Sequence, residues 1–198
     1  AYIPEWLCHQ MRISEQPGVV FALAHRGELL HEAAFGHANL ATGEKLTPRH
    51  RFRVASHSKS FTAAAILRLR EQGRLKLDDT AGQHVGGLHP AIAATTLSQL
   101  LSHTAGILRD GPDSEYWAGR APFLDGAKLR AELTLPPAID PNTRFKYSNP
   151  GFGLAGLVIE AITGESYNAW VAREIVARAG LSETTPDVPL TAGKLAKG

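Results

Sequence analysis

The sequence predicts an α+β fold, with an antiparallel β-hairpin near the N-terminus and a mostly helical region after it. Two apolar runs, VVFALAH at 19–25 and LLHEAAFG at 29–36, flank the short turn RGE and are typical of paired strands. Segments with helical apolar spacing then alternate with loops from about residue 56 to residue 180. Because two strands make only a marginal sheet, we expect further strands from a segment outside these 198 residues.

The helices are indicated by apolar spacing and by residues that begin or end helices. The helix predicted at 56–72 is apolar almost all round, which indicates a central position, and Gly73 is placed to end it. Thr96 is expected to cap a short helix that ends near Gly106. The other expected elements are a helix at 5–13, loops at 37–52 and 107–124, a helix at 125–133, an extended stretch at 136–149, helices at 151–164 and 167–180, and an irregular tail at 181–198.

Length and composition fit one globular domain, or one and a part, and argue against a nucleic-acid partner and a transmembrane segment. The chain has 198 residues, 43% of them hydrophobic and 20% charged, with a formal net charge of +2. No basic run is present, so nucleic acid is not expected as a partner. No apolar run approaches the roughly 20 residues of a transmembrane segment. Cys8 is the only cysteine, so no internal disulfide can form.

The first candidate for chemistry is the tetrapeptide SHSK at 56–59. Residues three apart on a helix have Cβ atoms about 5–6 Å apart, so the Lys59 amine can reach the Ser56 hydroxyl. If burial lowers the pKa of the lysine, its neutral amine can act as a base and activate the serine. The helix N-terminus adds a backbone N–H and a positive dipole end for an oxyanion. The alternative is a capping serine beside a lysine that extends to solvent.

The second candidate is the segment KYSN, in which Tyr147 and Asn149 lie two residues apart. In an extended segment both side chains point to the same side. A tyrosine near a cationic lysine can have a lowered pKa and relay a proton to a leaving group. An asparagine amide can orient the lysine and bind a substrate carbonyl. Asn149 could also cap a helix that begins at Pro150, and the two roles are compatible.

Together the two motifs resemble those of the penicillin-recognising serine hydrolases. This superfamily includes class C β-lactamases, low-molecular-weight DD-carboxypeptidases, D-aminopeptidases and β-lactamase-like esterases. SHSK matches the Ser-x-x-Lys motif, and YSN matches the Tyr-x-Asn form of the second motif. The sequences LSQLLSHTAGI at 97–107 and YSNPGFGLAGLVIEAITG at 147–164 are also similar to family segments. The resemblance covers nearly the whole chain from about Val19 onward.

The resemblance implies a β-lactamase/transpeptidase-like fold, in which an antiparallel sheet packs with helices, plus a helical subdomain. It implies that Ser56 is the acylated nucleophile and Lys59 its general base. Tyr147 would activate the deacylating water or protonate the leaving group, and Asn149 would position the substrate. The Ser56 backbone N–H would be one oxyanion donor. His103 matches a family position that we interpret as structural.

The family's third motif, Lys-Thr-Gly or His-x-Gly, does not follow in this sequence, since AGKLAKG at 192–198 matches neither spacing. We therefore expect residues 1–198 to be the N-terminal portion of one β-lactamase-like domain. Its parts would be hairpin strands at about 19–36, the nucleophile helix at about 56–72 and a helical region at about 73–180. The C-terminal strands would lie in a complementary segment or a second chain.

The sequence thus predicts a serine hydrolase that cleaves an amide or ester through an acyl-enzyme on Ser56. A peptide, a D-amino-acid amide, a small ester or a β-lactam would all suit this machinery. A non-catalytic penicillin-binding-like sensor or scaffold, and a binding domain without acylation, remain alternatives. No cofactor is implied, and the nine histidines show no metal-ligand spacing, so no metal is expected. The family slightly favours a periplasmic or secreted location and leaves a cytoplasmic one open.

Overall fold

The computed structural model describes residues 2–110 and 125–187. These residues form two compact units, one made of residues 2–54 with 183–187 and the other of residues 55–110 with 125–182. Most of the loop predicted at 107–124 and most of the tail predicted at 181–198 lie outside the described residues.

The first unit contains a helix and a three-stranded antiparallel sheet. Helix α1 spans Tyr2–Ile13, and the strands lie in the order β1 (Gly18–His25), β2 (Glu28–Asn39) and β3 (Glu44–Lys45). The predicted N-terminal helix and hairpin are therefore confirmed. Strand β2 is longer than the sequence indicates, and β3 falls within the predicted loop at 37–52.

A two-residue turn connects the strands of the hairpin. Arg26 and Gly27 have φ angles of 50° and 84°, the positive values of a type I′ turn, whose twist matches that of antiparallel strands. The strand residues nearest the turn are exposed, and they include Leu23, Leu29 and Leu30, with exposed fractions of 41%, 58% and 58%. This end of the hairpin therefore presents apolar side chains to solvent.

The second unit is mostly helical. Its helices are α2 (Ser58–Glu71), α3 (Pro90–Ala93), α4 (Leu97–Leu101), α5 (Gly126–Glu132), α6 (Asn149–Thr163) and α7 (Tyr167–Val171). A 3₁₀ turn at Ala55–His57 leads into α2, and a π-helical segment at Ala172–Val176 continues α7. The helix predicted at 125–133 is confirmed, and the one predicted at 167–180 is present as α7 and its π-helical continuation.

Helix α6 forms the centre of the apolar core of the second unit. Leu154, Val158 and Ile159 of this helix are completely buried. Other large side chains of the core come from α2, α4, α7 and the connecting segments: Ile66, Leu69, Leu97, Leu100, Leu133 and Trp170. Burying one such side chain contributes about 1.5–3 kcal/mol. The core thus fixes α2 and α6, whose N-terminal ends carry the predicted site residues.

Helix α2 is buried on one face only, so the described part of the chain does not cover the whole of this apolar helix. Thr62, Ala65, Ile66 and Leu69 are buried, whereas Leu67 is 41% exposed. The end of the helix is as predicted, because Gly73 has a φ of 70° and directly follows the C-cap.

Helix α4 begins as predicted but ends early. Thr96 caps it and forms a capping box with Gln99, which satisfies backbone N–H groups at the helix start. The helix ends at Leu101 rather than near Gly106. The residues between them form part of a loop beside the site.

Helix α6 is capped by Ser148 and not by Asn149, so the predicted cap is wrong by one residue. The Oγ atom of Ser148 accepts a hydrogen bond from the Gly151 N–H at 2.9 Å, and Pro150 occupies the first turn. The Asn149 side chain makes other contacts, which belong to the candidate site.

Candidate active site

The four predicted site residues lie together at the N-terminal ends of α2 and α6. The Ser56 Oγ atom is 2.5 Å from the Tyr147 hydroxyl oxygen. The Lys59 Nζ atom is 3.4 Å from Ser56 Oγ and donates a hydrogen bond to Asn149 Oδ1 at 2.6 Å. A serine hydroxyl is thus placed between a lysine amine and a phenol, either of which can exchange a proton with it.

The chain enters this site through a strained residue. Ala55 has a φ of 43°, in the left-handed region that costs a residue with a side chain about 1–3 kcal/mol. It lies directly before Ser56 and turns the backbone into the 3₁₀ turn that leads to α2. This turn places Ser56 at the helix N-terminus, where backbone N–H groups have no helical acceptor.

Two aromatic rings flank the amine of Lys59, which is half-buried. Its Nζ atom is 4.7 Å from the ring centroid of Tyr147 and 5.7 Å from that of Phe152. Both distances allow a cation–π interaction with a protonated lysine. The ring of Tyr147 therefore lies beside the Lys59 amine, while its hydroxyl contacts Ser56, which the same amine approaches.

Opposing effects act on the pKa of Tyr147. Burial raises this pKa and is the largest single effect, but hydrogen bonding to Lys59 and Ser56 and the positive charges of Lys59 and Arg109 act against it. Together they lower the pKa below its ordinary value of 10.0. Tyr147 therefore forms its phenolate more readily than a solvated tyrosine does.

A loop formed by residues 103–110, here called the site loop, holds the segment that carries Tyr147 and Asn149. The Lys146 N–H donates to the His103 carbonyl at 2.7 Å, and the Asn149 N–H donates to the Arg109 carbonyl at 2.8 Å. These backbone hydrogen bonds fix the segment on both sides of Tyr147.

His103 of the site loop lies against the ring of Tyr147, with 4.4 Å between the ring centroids. Its Nδ1 atom accepts the backbone N–H of Ser148 at 3.1 Å, so the neutral ring carries its proton on Nε2. Burial, and then the charge of Lys59, lower the pKa of His103 below 6.5. The residue interpreted as structural from the sequence is thus in direct contact with the site.

Sequence reasoning missed two residues at the end of the site loop. The Asn149 Nδ2 atom donates to Asp110 Oδ1 at 2.6 Å, and the Arg109 Nε atom lies 3.2 Å from Asp110 Oδ2. The only indication of Arg109 and Asp110 in the sequence was their position in the loop predicted at 107–124. No spacing rule connects residue 110 with residue 149.

Over residues 2–110 and 125–187, no group of three or more histidine, cysteine, aspartate or glutamate side chains could hold a metal ion. In the same part of the chain, no helix is long and apolar enough to cross a bilayer.

Comparison with known proteins identifies the family of the chain. The family model described as Beta-lactamase matches residues 5–193. The chain belongs to the beta-lactamase family. The predicted resemblance and the predicted α+β fold class are confirmed by this match and by solved structures of the same fold.

Three similar proteins define the extent of the match. Protein flp of Staphylococcus aureus (strain COL) is 28% identical over 170 residues, and penicillin-binding protein 4* of Bacillus subtilis (strain 168) is 31% identical over 174 residues. A class C beta-lactamase from Rhodobacter sphaeroides has a TM-score of 0.81 at 28% identity. The alignments cover 82%, 84% and 96% of this chain but only 33%, 37% and 52% of those proteins. The chain therefore spans about a third to a half of the length of its relatives.

Proposed function

We propose that this chain carries the acylation site of a serine hydrolase that cleaves an amide or ester through an acyl-enzyme on Ser56. A peptide, a D-amino-acid amide, a small ester and a β-lactam each present a carbonyl carbon that a serine oxygen can attack. The observation that carries the proposal is the convergence of two proton-exchanging groups on one serine oxygen. The Tyr147 hydroxyl lies 2.5 Å from Ser56 Oγ, and Lys59 Nζ lies 3.4 Å from it.

In this proposal Lys59 and Tyr147 act as a coupled pair. One proton is shared by the two groups, so the pair is either a neutral amine with a phenol or an ammonium with a phenolate. Lys59 is the predicted general base, and the lowered pKa of Tyr147 supports a phenolate beside the ammonium. The proton of Ser56 then reaches the nearer phenolate oxygen or the lysine amine.

During acylation, the Ser56 oxygen attacks the carbonyl carbon while its proton passes to the pair. The carbonyl π electrons move to the carbonyl oxygen. Backbone N–H groups of the 3₁₀ turn and of the start of α2, including that of Ser56, stabilise this oxyanion. When this oxyanion collapses, the C–N or C–O bond breaks, and the pair returns the proton to the leaving group.

Deacylation repeats these steps with water. Water attacks the ester carbon while the pair takes its proton, and the ester C–O bond to Ser56 breaks. The acid product leaves, and the pair returns the proton to Ser56 Oγ.

The complete site is proposed to include a complementary C-terminal segment outside these 198 residues. The relatives extend well beyond the region they share with this chain, which covers 33–52% of their length. By the family resemblance, this segment supplies the third motif and a second oxyanion donor. Experiments on function therefore use the natural protein with any polypeptide that copurifies with it.

The test measures hydrolysis of p-nitrophenyl acetate, a D-alanyl p-nitroanilide and a chromogenic cephalosporin. Ser56→Ala is expected to lower kcat/KM for every hydrolysed substrate by at least about a thousandfold, because it removes the nucleophile. Ser58→Ala changes the first residue of α2, which is not placed in the site; it serves as the matched control and is expected to retain activity. The proposal fails if Ser56→Ala hydrolyses these substrates as well as the control.

A further inference from the structure

We propose that Asp110 is a positioning residue of the acylation site, which acts on Lys59 by fixing the amide of Asn149. This inference rests on the proposed function. The contacts form a continuous chain: Asp110 Oδ1 accepts the Asn149 Nδ2 group at 2.6 Å, and Asn149 Oδ1 accepts the Lys59 Nζ group at 2.6 Å. The lysine then approaches Ser56 Oγ at 3.4 Å.

The chemistry of these groups permits one orientation of the Asn149 amide. An ionised carboxylate only accepts hydrogen bonds, and a lysine ammonium only donates them. Rotating the amide by 180° would turn its NH₂ group towards the lysine and its oxygen towards the carboxylate. The contact with the carboxylate would then be repulsive, and so would the contact with the lysine in its ammonium form. The carboxylate of Asp110 therefore keeps Asn149 Oδ1 directed at Lys59.

The carboxylate is itself well placed for this role. The Asp110 side chain is only 12% exposed, and its second oxygen lies 3.2 Å from the Arg109 Nε atom. The Arg109 carbonyl also accepts the backbone N–H of Asn149 at 2.8 Å. Side-chain and backbone contacts thus connect the end of the site loop to Asn149 independently.

Losing this orientation deprives Lys59 of a defined acceptor. Its ammonium would no longer be held between Asn149 and Ser56, and the proton exchange with Ser56 would need a reorganisation first. If the Asn149 amide loses or misdirects its hydrogen bonds, and this affects only the reactive arrangement of the site, we expect the rate of acylation to fall about ten- to a hundredfold. Asp110 acts through Asn149, so its effect must depend on the presence of that amide.

The test measures the rate at which a fluorescent penicillin acylates the natural protein. Asp110→Asn keeps the shape of the side chain but removes the charge that enforces the amide orientation. It is expected to slow acylation about tenfold without preventing saturation of the site. Asp140→Asn, an exposed change on another loop, is the matched control and is expected to react at the wild-type rate. Equal rates for Asp110→Asn and the control would overturn the inference.

A double-mutant cycle separates positioning from a general structural effect. In an Asn149→Ala background, Asp110→Asn is expected to cause no further slowing, because the amide through which it acts is gone. Additive losses of rate would instead assign Asp110 a role independent of Asn149 and overturn the inference. Thermal unfolding of each variant identifies any change caused by loss of folding.

A wild-type protein that is not acylated would count against the proposed function rather than against this contact. The inference is then decided by NMR of the Asn149 side-chain NH₂ group, assigned with Asn149→Ala. Its resonance is expected to shift in Asp110→Asn and to stay unchanged in Asp140→Asn. An NH₂ signal that Asp110→Asn leaves unmoved would refute the positioning contact.

Discussion

At the residue scale, the pKa of Tyr147 links the electrostatics of the site to its chemistry. Burial is the largest single effect and raises this pKa, but the hydrogen bonds to Lys59 and Ser56 together with the charges of Lys59 and Arg109 outweigh it and lower the pKa. A deprotonated partner for Ser56 therefore becomes available as the pH rises, at values below the ordinary tyrosine pKa of 10.0. The rate of acylation is expected to rise with pH as Tyr147 loses its proton.

Tyr147→Phe removes the hydroxyl nearest to Ser56 and keeps the ring. Acylation by a fluorescent penicillin is expected to slow by about 10²–10⁴-fold, the usual contribution of a proton-transfer group, and its alkaline rise should disappear. Tyr167→Phe is the matched control, because the Tyr167 hydroxyl bonds Thr62 at 2.7 Å and is not placed in the proposed mechanism. A Tyr147→Phe variant that acylates at the rate of the control would exclude a role for the phenol.

His103 connects the site to the pH dependence of stability. Burial and the charge of Lys59 lower its pKa in the folded state below 6.5, so the unfolded state takes up a proton first as the pH falls. The contribution of His103 to the free energy of unfolding is fully present above about pH 6.5, where the histidine of the unfolded chain is neutral. It is lost as the pH falls through the pKa of His103 in the folded state.

His103→Asn tests this effect, because asparagine tolerates the φ of 59° and its oxygen can accept the Ser148 N–H. Urea unfolding at pH 7.5 and 5.5 should show a smaller loss of stability for this variant than for the wild type. The exposed His25→Asn variant should lose as much as the wild type. An unchanged loss in His103→Asn would assign the pH dependence to other groups.

At the element scale, the site loop depends on a close backbone approach at Gly106. Gly106 has a φ of 75°, and a Cβ atom there would lie 2.1 Å from the Ile139 carbonyl oxygen. Gly164, at the end of α6, has a φ of 71°, but a Cβ atom there would have no neighbour within 4 Å. The two glycines share a backbone conformation and differ in the space around them.

This pair predicts unequal effects of alanine. Gly164→Ala is expected to lower the free energy of unfolding by about 1–2 kcal/mol, the cost of a left-handed residue with a side chain. Gly106→Ala should cost about 3 kcal/mol or more, since a clash with backbone is added. Denaturant titration of both variants measures the difference. Equal costs would mean that the site loop moves away from Ile139 without penalty.

The sequence predicted the helices best where a local signal was sufficient. Thr96 and Gly73 were correctly placed because a cap or a left-handed turn depends on the residue itself. Ser148 and Asn149 are both good caps before Pro150, so local preference did not separate them. The choice is made by tertiary contacts, since Ser148 Oγ donates to the Leu108 carbonyl at 2.6 Å while also accepting the bond that caps α6.

Helical spacing predicts that Ser56 and Lys59 lie together. The separation of two residues predicts that the side chains of Tyr147 and Asn149 point to the same side. Motif resemblance joined these two pairs. The role of Asp110 has no such signal, because its contact with Asn149 spans 39 residues and depends on the path of the site loop. For α2, composition likewise reveals which residues are apolar and not what covers them.

At the scale of the whole molecule, large apolar side chains are exposed at several places. Leu29 and Leu30 are each 58% exposed, and Phe52 and Val54 are 43% and 46% exposed. The relatives are longer than this chain, which covers 33–52% of their length. Exposed apolar surface favours association in water.

We therefore expect the 198-residue chain, produced alone, to self-associate and to bind a hydrophobic dye. Size-exclusion chromatography with light scattering measures the association. Leu29→Gln combined with Leu30→Gln should reduce dye binding, because both side chains are exposed. A monodisperse 198-residue monomer that melts cooperatively would show this expectation to be wrong.

The mass of the intact natural protein, before and after exposure to a fluorescent penicillin, decides most directly whether Ser56 is a nucleophile. We expect a single covalent adduct on the polypeptide that contains Ser56, present in the wild type and in Ser58→Ala but absent in Ser56→Ala. The same spectrum reveals any complementary polypeptide. An adduct that persists in Ser56→Ala, or a wild-type protein that forms none, would contradict the proposed acyl-enzyme.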